Sequence, residues 1–411
     1  MKKSDIKKVS ADSVMNTKIQ NKVVKQRKKK KPKRVVEFFR HNIDSDCLTE
    51  FTSTVKNIYI TTGTKTAQFE EAFARYLGSP HAVGLMSCTH ALHLAYKALG
   101  IGEGDDVIVP AFTFVASITA TIHAGATPVF VDVDQKTGIM DVGAAEAAIT
   151  KRTKAICPVH LYGVMAPMDK FSKISKRYNL KLVEDAAHCI EGRGPAYGPG
   201  TLSDAAAFSF YATKNITCGE GGALVTPHGY VADKVRILRN HGLSKSAFER
   251  YDSTLPVYDV EEVGYKSNMT DLQAALLLPQ LSKIENNRKR REKICKTYNE
   301  GFGNIPGITL PFAPRGTKNA YHIYTIRVSP HEKRDEFVSA MIKSGVNCAI
   351  NYRPISHLTL FKKRYGLRPE DHPVATSIGN SILTLPLYPA LTDAEVEYVI
   401  QTLEEVVEKI L

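Results

Sequence analysis

Residues 81–133 read HAVGLMSCTHALHLAYKALGIGEGDDVIVPAFTFVASITATIHAGATPVFVDV. Three short apolar runs, His81–Met86, Asp106–Val109 and Pro128–Val133, predict strands. Between them Thr89–Leu99 carries Ala91, Leu94, Ala95, Ala98 and Leu99 at helical spacing, and Phe114–His123 predicts a second helix. Strands of this length separated by helices of this length argue for a mostly parallel sheet covered on both faces. The alternation continues. Gly143–Ile149 predicts a helix, Lys154–Val159 a strand, Lys170–Tyr178 a helix and Lys181–Glu184 a strand. Ala205–Phe210 and Gly222–Thr226 add two strands before a helix at Val231–Arg239. On the amino-terminal side, a segment from Val35 to about Ser79 ends in a helix, Thr66–Leu77.

Beyond residue 270 the pattern changes. Asp271–Tyr298 predicts one long helix, increasingly basic, followed by strands at Tyr321–Val328, Asn347–Tyr352 and Ile382–Leu385 and a helix at Arg334–Lys343. Thr392 and Glu395 form a capping-box pair that opens a final helix, with Leu391 and Val396 placed as its hydrophobic staple. The expected organisation is therefore an α/β domain over residues 35–302 and a smaller α+β domain over 303–411.

The net charge of +13 is localised. Residues 1–34 hold fourteen Lys/Arg against Asp5 and Asp12, whereas residues 35–411 hold 41 basic and 40 acidic groups. A like-charged block ending KQRKKKKPKR is expected to stay disordered, solvated or in weak contact with a polyanion. Seven cysteines without a CxxC pair suit free thiols in a reducing compartment and exclude a disulfide scaffold or zinc site. No apolar run is long enough to span a bilayer and no secretory leader is legible, so the expected location is the cytoplasm.

Chemistry concentrates where strands end, the place parallel sheets bind ligands. Ser87-Cys88-Thr89 joins a strand to a helix, where hydroxyls and open amides can seat a phosphate or simply cap the helix. Asp185 ends a buried strand and needs a partner, for which a protonated pyridine nitrogen is one candidate and a helix amide another. His188 follows three residues later. The string FSFYATKNITCGEGG (208–222) puts Ser209 on a strand, Lys214 just beyond it, and Gly219, Gly221 and Gly222 where backbone must pass closely. A lysine at the end of a buried strand can be desolvated enough to act as a neutral amine, although most lysines are plain surface groups. No GxxxxGK[ST] nucleotide loop is present.

Seven strings occur in order: MSCTHALHL (86–94), VPAFTFVA (109–116), VHLYG (159–163), EDAAH (184–188), FSFYATKNITCGEGG (208–222), RNHG (239–242) and GYKSNMTDLQ (264–273). Together, from about Phe38 to the C-terminus, the chain resembles the DegT/StrS family of sugar aminotransferases. The resemblance implies an aspartate-aminotransferase-like fold (PLP-dependent transferase, fold type I) and a pyridoxal 5′-phosphate cofactor. It implies that Lys214 bears the cofactor and moves the proton at the substrate carbon, that Asp185 pairs with the pyridine nitrogen, and that His188 lies near the phenolic oxygen. Phe114 would stack on the ring, Ser209 with Cys88 and Thr89 would hold the phosphate, and Asn268 would reach it from a second subunit of a homodimer. Within the family the chain looks most like the UDP-4-amino-4-deoxy-L-arabinose synthases, which implies a nucleotide-linked keto sugar as acceptor and L-glutamate as donor, giving 2-oxoglutarate. Polysaccharide or glycoconjugate synthesis is the implied setting. His188 where Gln is common, Cys88 where Gly is common and Asn351-Tyr352 where His-Tyr is common are departures from the pattern. Two alternatives compete. Related sugar dehydratases share the fold but carry histidine in place of the lysine, and a nucleic-acid-binding scaffold acting through the tail has no need of Lys214, Asp185, Ser209 and Asn268.

Overall fold

The seven strands expected in the first two-thirds of the chain are all present in the computed structural model, which describes residues 34–244 and 258–411. They are β1 (His81–Leu85), β2 (Asp106–Pro110), β3 (Thr127–Val131), β4 (Thr153–Ile156), β5 (Lys181–Asp185), β6 (Ala205–Ser209) and β7 (Gly222–Thr226). They form one sheet in the order β1-β7-β6-β5-β4-β2-β3. All neighbours from β6 to β3 pair in parallel; β7 alone runs against them, between β6 and β1. The basic segment 1–34 lies outside the described residues except for Arg34.

Each strand feeds two cores because successive side chains point to opposite faces. Val107 and Val109 of β2 join a cluster with Leu85, Val183, Ala207 and the helix Cys88–Ala98, whereas Ile108 joins Ile156, Leu182 and Phe171 across the sheet. A third cluster puts Phe69, Phe73, Phe208 and Phe210 under β6 and β7, with the last three rings in edge-to-face contact at centroid distances of 5.1–5.5 Å. Such burial on both faces requires the near-continuous apolar runs seen in the sequence.

A second sheet has the order β10-β9-β8, from β8 (Ile308–Thr309), β9 (Tyr324–Val328) and β10 (Ile382–Leu385), all antiparallel. Its core takes Phe337 and Met341 from the helix Arg334–Lys343 and Val396, Val399, Leu403 and Val406 from the final helix, Asp393–Ile410. The capping box at Thr392 and Glu395 is formed in both directions, and Leu391 and Val396 are buried in the same cluster. Residues 347–352 do not make the expected strand; Ala349 alone bridges to Thr384. The long helix expected over 271–298 is two, Asp271–Ser282 and Ile284–Phe302, meeting at Lys283. Its second half is shared: Ile284 packs under the large sheet, while Ile294, Cys295, Tyr298 and Phe302 pack under the small one. Val36–Leu411 is one compact unit. No helix among the described residues is long and apolar enough to cross a membrane.

One buried ion pair holds this assembly near its centre. Arg291 Nη2 donates to Glu191 Oε1 at 2.5 Å, with both side chains almost fully excluded from solvent. Asn215 donates to the other carboxylate oxygen at 2.8 Å. Removing one member of a buried pair strands the other charge, which costs about 3–5 kcal/mol. Glu191→Ala should therefore lower the unfolding free energy measured by urea titration by that order, and a value within error of wild type would show that Arg291 finds other compensation.

Candidate active site

The parallel strands point their carboxyl ends to one side of the large sheet, and the sequence-selected residues gather there. Asp185 closes β5 and is only 5% exposed. Its carboxylate accepts from the Ser117 hydroxyl at 2.6 Å and from the Ala187 amide at 3.1 Å, and the Cys88 thiol lies 3.9 Å away. Burial and the neighbouring carboxylate push the Cys88 thiol well up, so it stays protonated. Among the described residues no basic nitrogen comes within ion-pair distance of Asp185. A buried carboxylate with neutral donors only suits a cationic ligand atom in the cleft.

Lys214 follows β6 in a loop fixed at both ends. Phe210 donates to Gly221 O at 2.9 Å, Thr217 exchanges two hydrogen bonds with the Gln280 side chain, and Thr217 Oγ1 donates to Phe210 O at 3.1 Å. The lysine retains part of its surface toward the cleft but sits deep among protein atoms. Burial lowers its pKa to about 8, with Cys88 and Asp185 pulling the other way. A primary amine with that pKa is substantially neutral near pH 8 and able to act as nucleophile or base.

The Ser87–Thr89 turn leads into helix Cys88–Ala98, whose N-cap Ser87 accepts from the His90 amide at 3.2 Å. The first amides, at Cys88 and Thr89, have no helical acceptor and are free to meet an anion. Gly222, paired with Ser209 across β6 and β7, explains how this turn comes so close. A Cβ there would lie 2.3 Å from the Ser87 carbonyl carbon, so only glycine lets the turn settle onto the strand pair. The glycine thus serves the backbone that faces the ligand.

His188 is buried and its tautomer is set by its partners. Tyr162 N–H donates to Nδ1 at 3.2 Å, leaving the proton on Nε2, which lies 3.1 Å from the Tyr352 hydroxyl. Burial, then Lys214, holds the imidazole well below its usual pKa and therefore neutral. His322 lies on its face at 4.4 Å between ring centroids and connects through Asn215 to Glu191. Phe114, 53% exposed, lies beyond β2 with its ring 5.4 Å from that of Tyr352. Lys214, His322, Tyr352 and Phe38 line a small cavity of about 50 Å³.

Asn268 is placed apart. It donates to Thr62 Oγ1 at 2.6 Å and lines a different cavity, of about 850 Å³, with Thr61, Arg239 and Lys266. Sequence reading missed Ser117, Tyr162 and the buried pair His160–Glu184. His160 Nε2 donates to Glu184 at 2.6 Å while its Nδ1 accepts from the Ala166 amide at 3.0 Å, which clamps the loop carrying Tyr162. The signal for Ser117 was a lone hydroxyl in the apolar stretch Val115–Ile118; nothing local announces the others.

The profile of the DegT/DnrJ/EryC1/StrS aminotransferase family matches residues 41–404. The chain belongs to that family. The spore coat polysaccharide biosynthesis protein SpsC of Bacillus subtilis (strain 168) is 40% identical over 370 residues, covering 89% of this chain and 95% of its own length. The structure is similar to the putative sugar aminotransferase Spr1654 of Streptococcus pneumoniae in its PMP form, with TM-score 0.86 and 33% identity over 92% of this chain and all of that one. It is similar, at TM-score 0.84 and 33% identity over the same shares, to DesV of S. venezuelae in complex with a ketimine intermediate.

This aminotransferase is therefore a pyridoxal-phosphate-dependent sugar transaminase of fold type I. The residues at the carboxyl ends fit that cofactor. Asp185 presents a buried carboxylate without a cation, Lys214 a depressed amine, and the Cys88–Thr89 turn open amides. Because only the neutral amine can add to an aldehyde, cofactor capture by the apoprotein should accelerate as pH rises and level off above about 8. Stopped-flow absorbance measures this; a rate independent of pH across that region would contradict the burial-lowered amine.

Proposed function

We propose that the enzyme transfers an amino group from L-glutamate to the keto carbon of a nucleotide-linked sugar, with UDP-4-keto sugars the first class to test. The observation that supports the reading most is the pairing of a lysine of pKa about 8 with the buried, cation-free Asp185 at the ends of adjacent strands. Bound pyridoxal phosphate supplies an electron sink for the carbon that gains or loses the proton.

In this reading the protein's own groups divide the work. Asp185, oriented by Ser117 and Ala187, keeps the pyridine nitrogen protonated. The amides of Cys88 and Thr89 with the Ser209 hydroxyl hold the phosphate, and Phe114 covers the ring. Lys214 would hold the cofactor and, as a neutral amine, would serve as the base that moves the proton at the substrate carbon. His188 is neutral, with its Nε2 proton toward the Tyr352 hydroxyl, so it acts near the phenolic oxygen through a neutral donor pair rather than a charge. Asn268 reaches the phosphate of a second subunit in this reading, which its position in a cavity apart from Lys214 supports. The active form is then a homodimer with shared sites.

Mass spectrometry of products from nucleotide-linked 4-keto and 3-keto sugars, each with glutamate and with alanine, tests the reading. Amine formation from a 4-keto nucleotide sugar with glutamate is expected. Turnover only with free keto sugars would overturn the nucleotide assignment, and turnover with alanine alone would overturn the donor.

The basic segment is proposed to stand outside catalysis. Deleting residues 1–34 should leave turnover within about twofold, as exposed terminal segments seldom contribute much. Retention on heparin should fall steeply with salt and vanish in the truncated protein. Loss of turnover on truncation, or retention that survives it, would refute this separation.

A further inference from the structure

A third cavity, of about 390 Å³, opens where the loop after β3 meets β9. That volume falls in the range of small-molecule sites. Its walls include Lys136, Tyr162, Phe312, Ile323 and Arg327, and Ile323 also borders the cavity at Lys214. Arg327 is the unusual member. A guanidinium has five N–H donors; here one is used, by Nη1 to the Gln135 carbonyl at 2.8 Å. Among the described residues no carboxylate lies within ion-pair distance of it. The nearest charge, Asp134, spends its Oδ1 on its own turn, accepting from the Lys136 and Thr137 amides and the Thr137 hydroxyl. Arg327 is half-buried, and that burial presses its pKa down while Asp134 pulls the other way. The Lys136 ammonium lies 5.8 Å from the centre of the Phe312 ring, placing a second cation beside an aromatic surface.

The cavity also touches the active site through one residue. Tyr162 forms part of its wall, donates its amide to His188 Nδ1, and donates its hydroxyl to the Asn351 carbonyl, one residue before Tyr352. Its φ of 59° is in the left-handed region, which a tyrosine occupies only where surrounding contacts hold it. Tyr162 thus links this cavity to both partners of His188, directly through its own amide and through Asn351 to the adjacent Tyr352.

We propose that this cavity is an effector site for a small organic anion, a carboxylate or phosphate on an apolar or aromatic body. Arg327 and Lys136 bind the oxyanion, Phe312 and Ile323 cover the body, and Tyr162 transmits occupancy to His188. Binding stands independently of the proposed function; transmission rests on the place of His188 in that site.

Calorimetric titration of the holoenzyme with phenyl phosphate, phenylacetate and inorganic phosphate tests both parts. One site per chain is expected for the aromatic anions, with inorganic phosphate weaker for want of an apolar body. Whether the phosphate or the carboxylate binds more tightly identifies the oxyanion. A charge-assisted hydrogen bond contributes about 1.5–3 kcal/mol, so Arg327→Gln should weaken binding at least about tenfold. Arg327→Lys should lie between, and Lys136→Ala, at an exposed position, guards against misfolding of the Arg327 variants. Equal affinity in wild type and all three variants, or no binding of any probe at about 10 mM, would overturn the site. Bound anion should also change the cofactor absorbance and the rate of the glutamate half-reaction, and Tyr162→Phe should bind but lose much of that change. Binding without any spectral or kinetic change in wild type would overturn the effector role while leaving the transaminase assignment untouched, because turnover itself is read in the same assay.

Discussion

Lys214→Ala should bind pyridoxal phosphate weakly and lose essentially all turnover. Proton transfer by a positioned side chain alone accounts for about 10²–10⁴ in rate. The same residue is proposed to anchor the cofactor, so the two losses compound. Borohydride reduction of the wild-type holoenzyme followed by peptide mapping should place the cofactor on Lys214, within the peptide that contains Tyr211–Asn215. The loop that holds it is fixed through Thr217, Gln280 and Gly221, none of which needs the lysine side chain, so the variant should fold as wild type does. Labelling of another lysine, or an unaltered visible spectrum in the variant, would remove Lys214 from the chemistry.

Asp185→Asn separates binding from electronics. The Ala187 amide can still donate to the asparagine oxygen, and the Ser117 hydroxyl, which bonds the other carboxylate oxygen, can turn to accept from the new NH2, so the position stays filled. What disappears is the charge proposed to keep a bound pyridine nitrogen protonated. Cofactor held from its phosphate side and by Lys214 should remain, whereas kcat should fall by at least about a hundredfold, the scale of losing one preorganised electrostatic contact. KM should move far less than kcat. Near-normal turnover would show that the carboxylate serves the fold, anchoring Ser117 and the Cys88 thiol, and not the reaction.

Much of the fold was legible because a parallel sheet buried on both faces writes itself as short apolar runs. Val107, Ile108 and Val109 have to be apolar since one faces Phe171 and the others face the opposite core. The capping box at Thr392 was equally readable, being a contact between residues three apart. Local pattern failed where long-range contact decided. The apolar run Cys348–Ile350 reads locally as a strand, yet only Ala349 exchanges hydrogen bonds with Thr384 and no ladder extends from that bridge. At the site, Asp185 and Lys214 stood out because one ends a buried strand and the other follows shortly after one. Ser117, Tyr162 and the His160–Glu184 pair did not, because their partners lie 68, 26 and 24 residues away. Asn268 was named through resemblance alone, and it lines a cavity apart from Lys214.

The helix Ile284–Phe302 acts as a rod rooted at both ends. Ile284 belongs with Phe69 and Phe208, while Tyr298 and Phe302 lie among Tyr324 and Leu385, where the Tyr298 hydroxyl also donates to the Pro386 carbonyl at 3.0 Å. Arg291, between them, grips Glu191. A cut at residue 303 would take Ile294, Cys295, Tyr298 and Phe302 away from the small sheet and bare its apolar face to water. The two sheets are thus expected to melt in a single cooperative event, since the rod, and with it Arg291 on Glu191, cannot leave one sheet without baring the other.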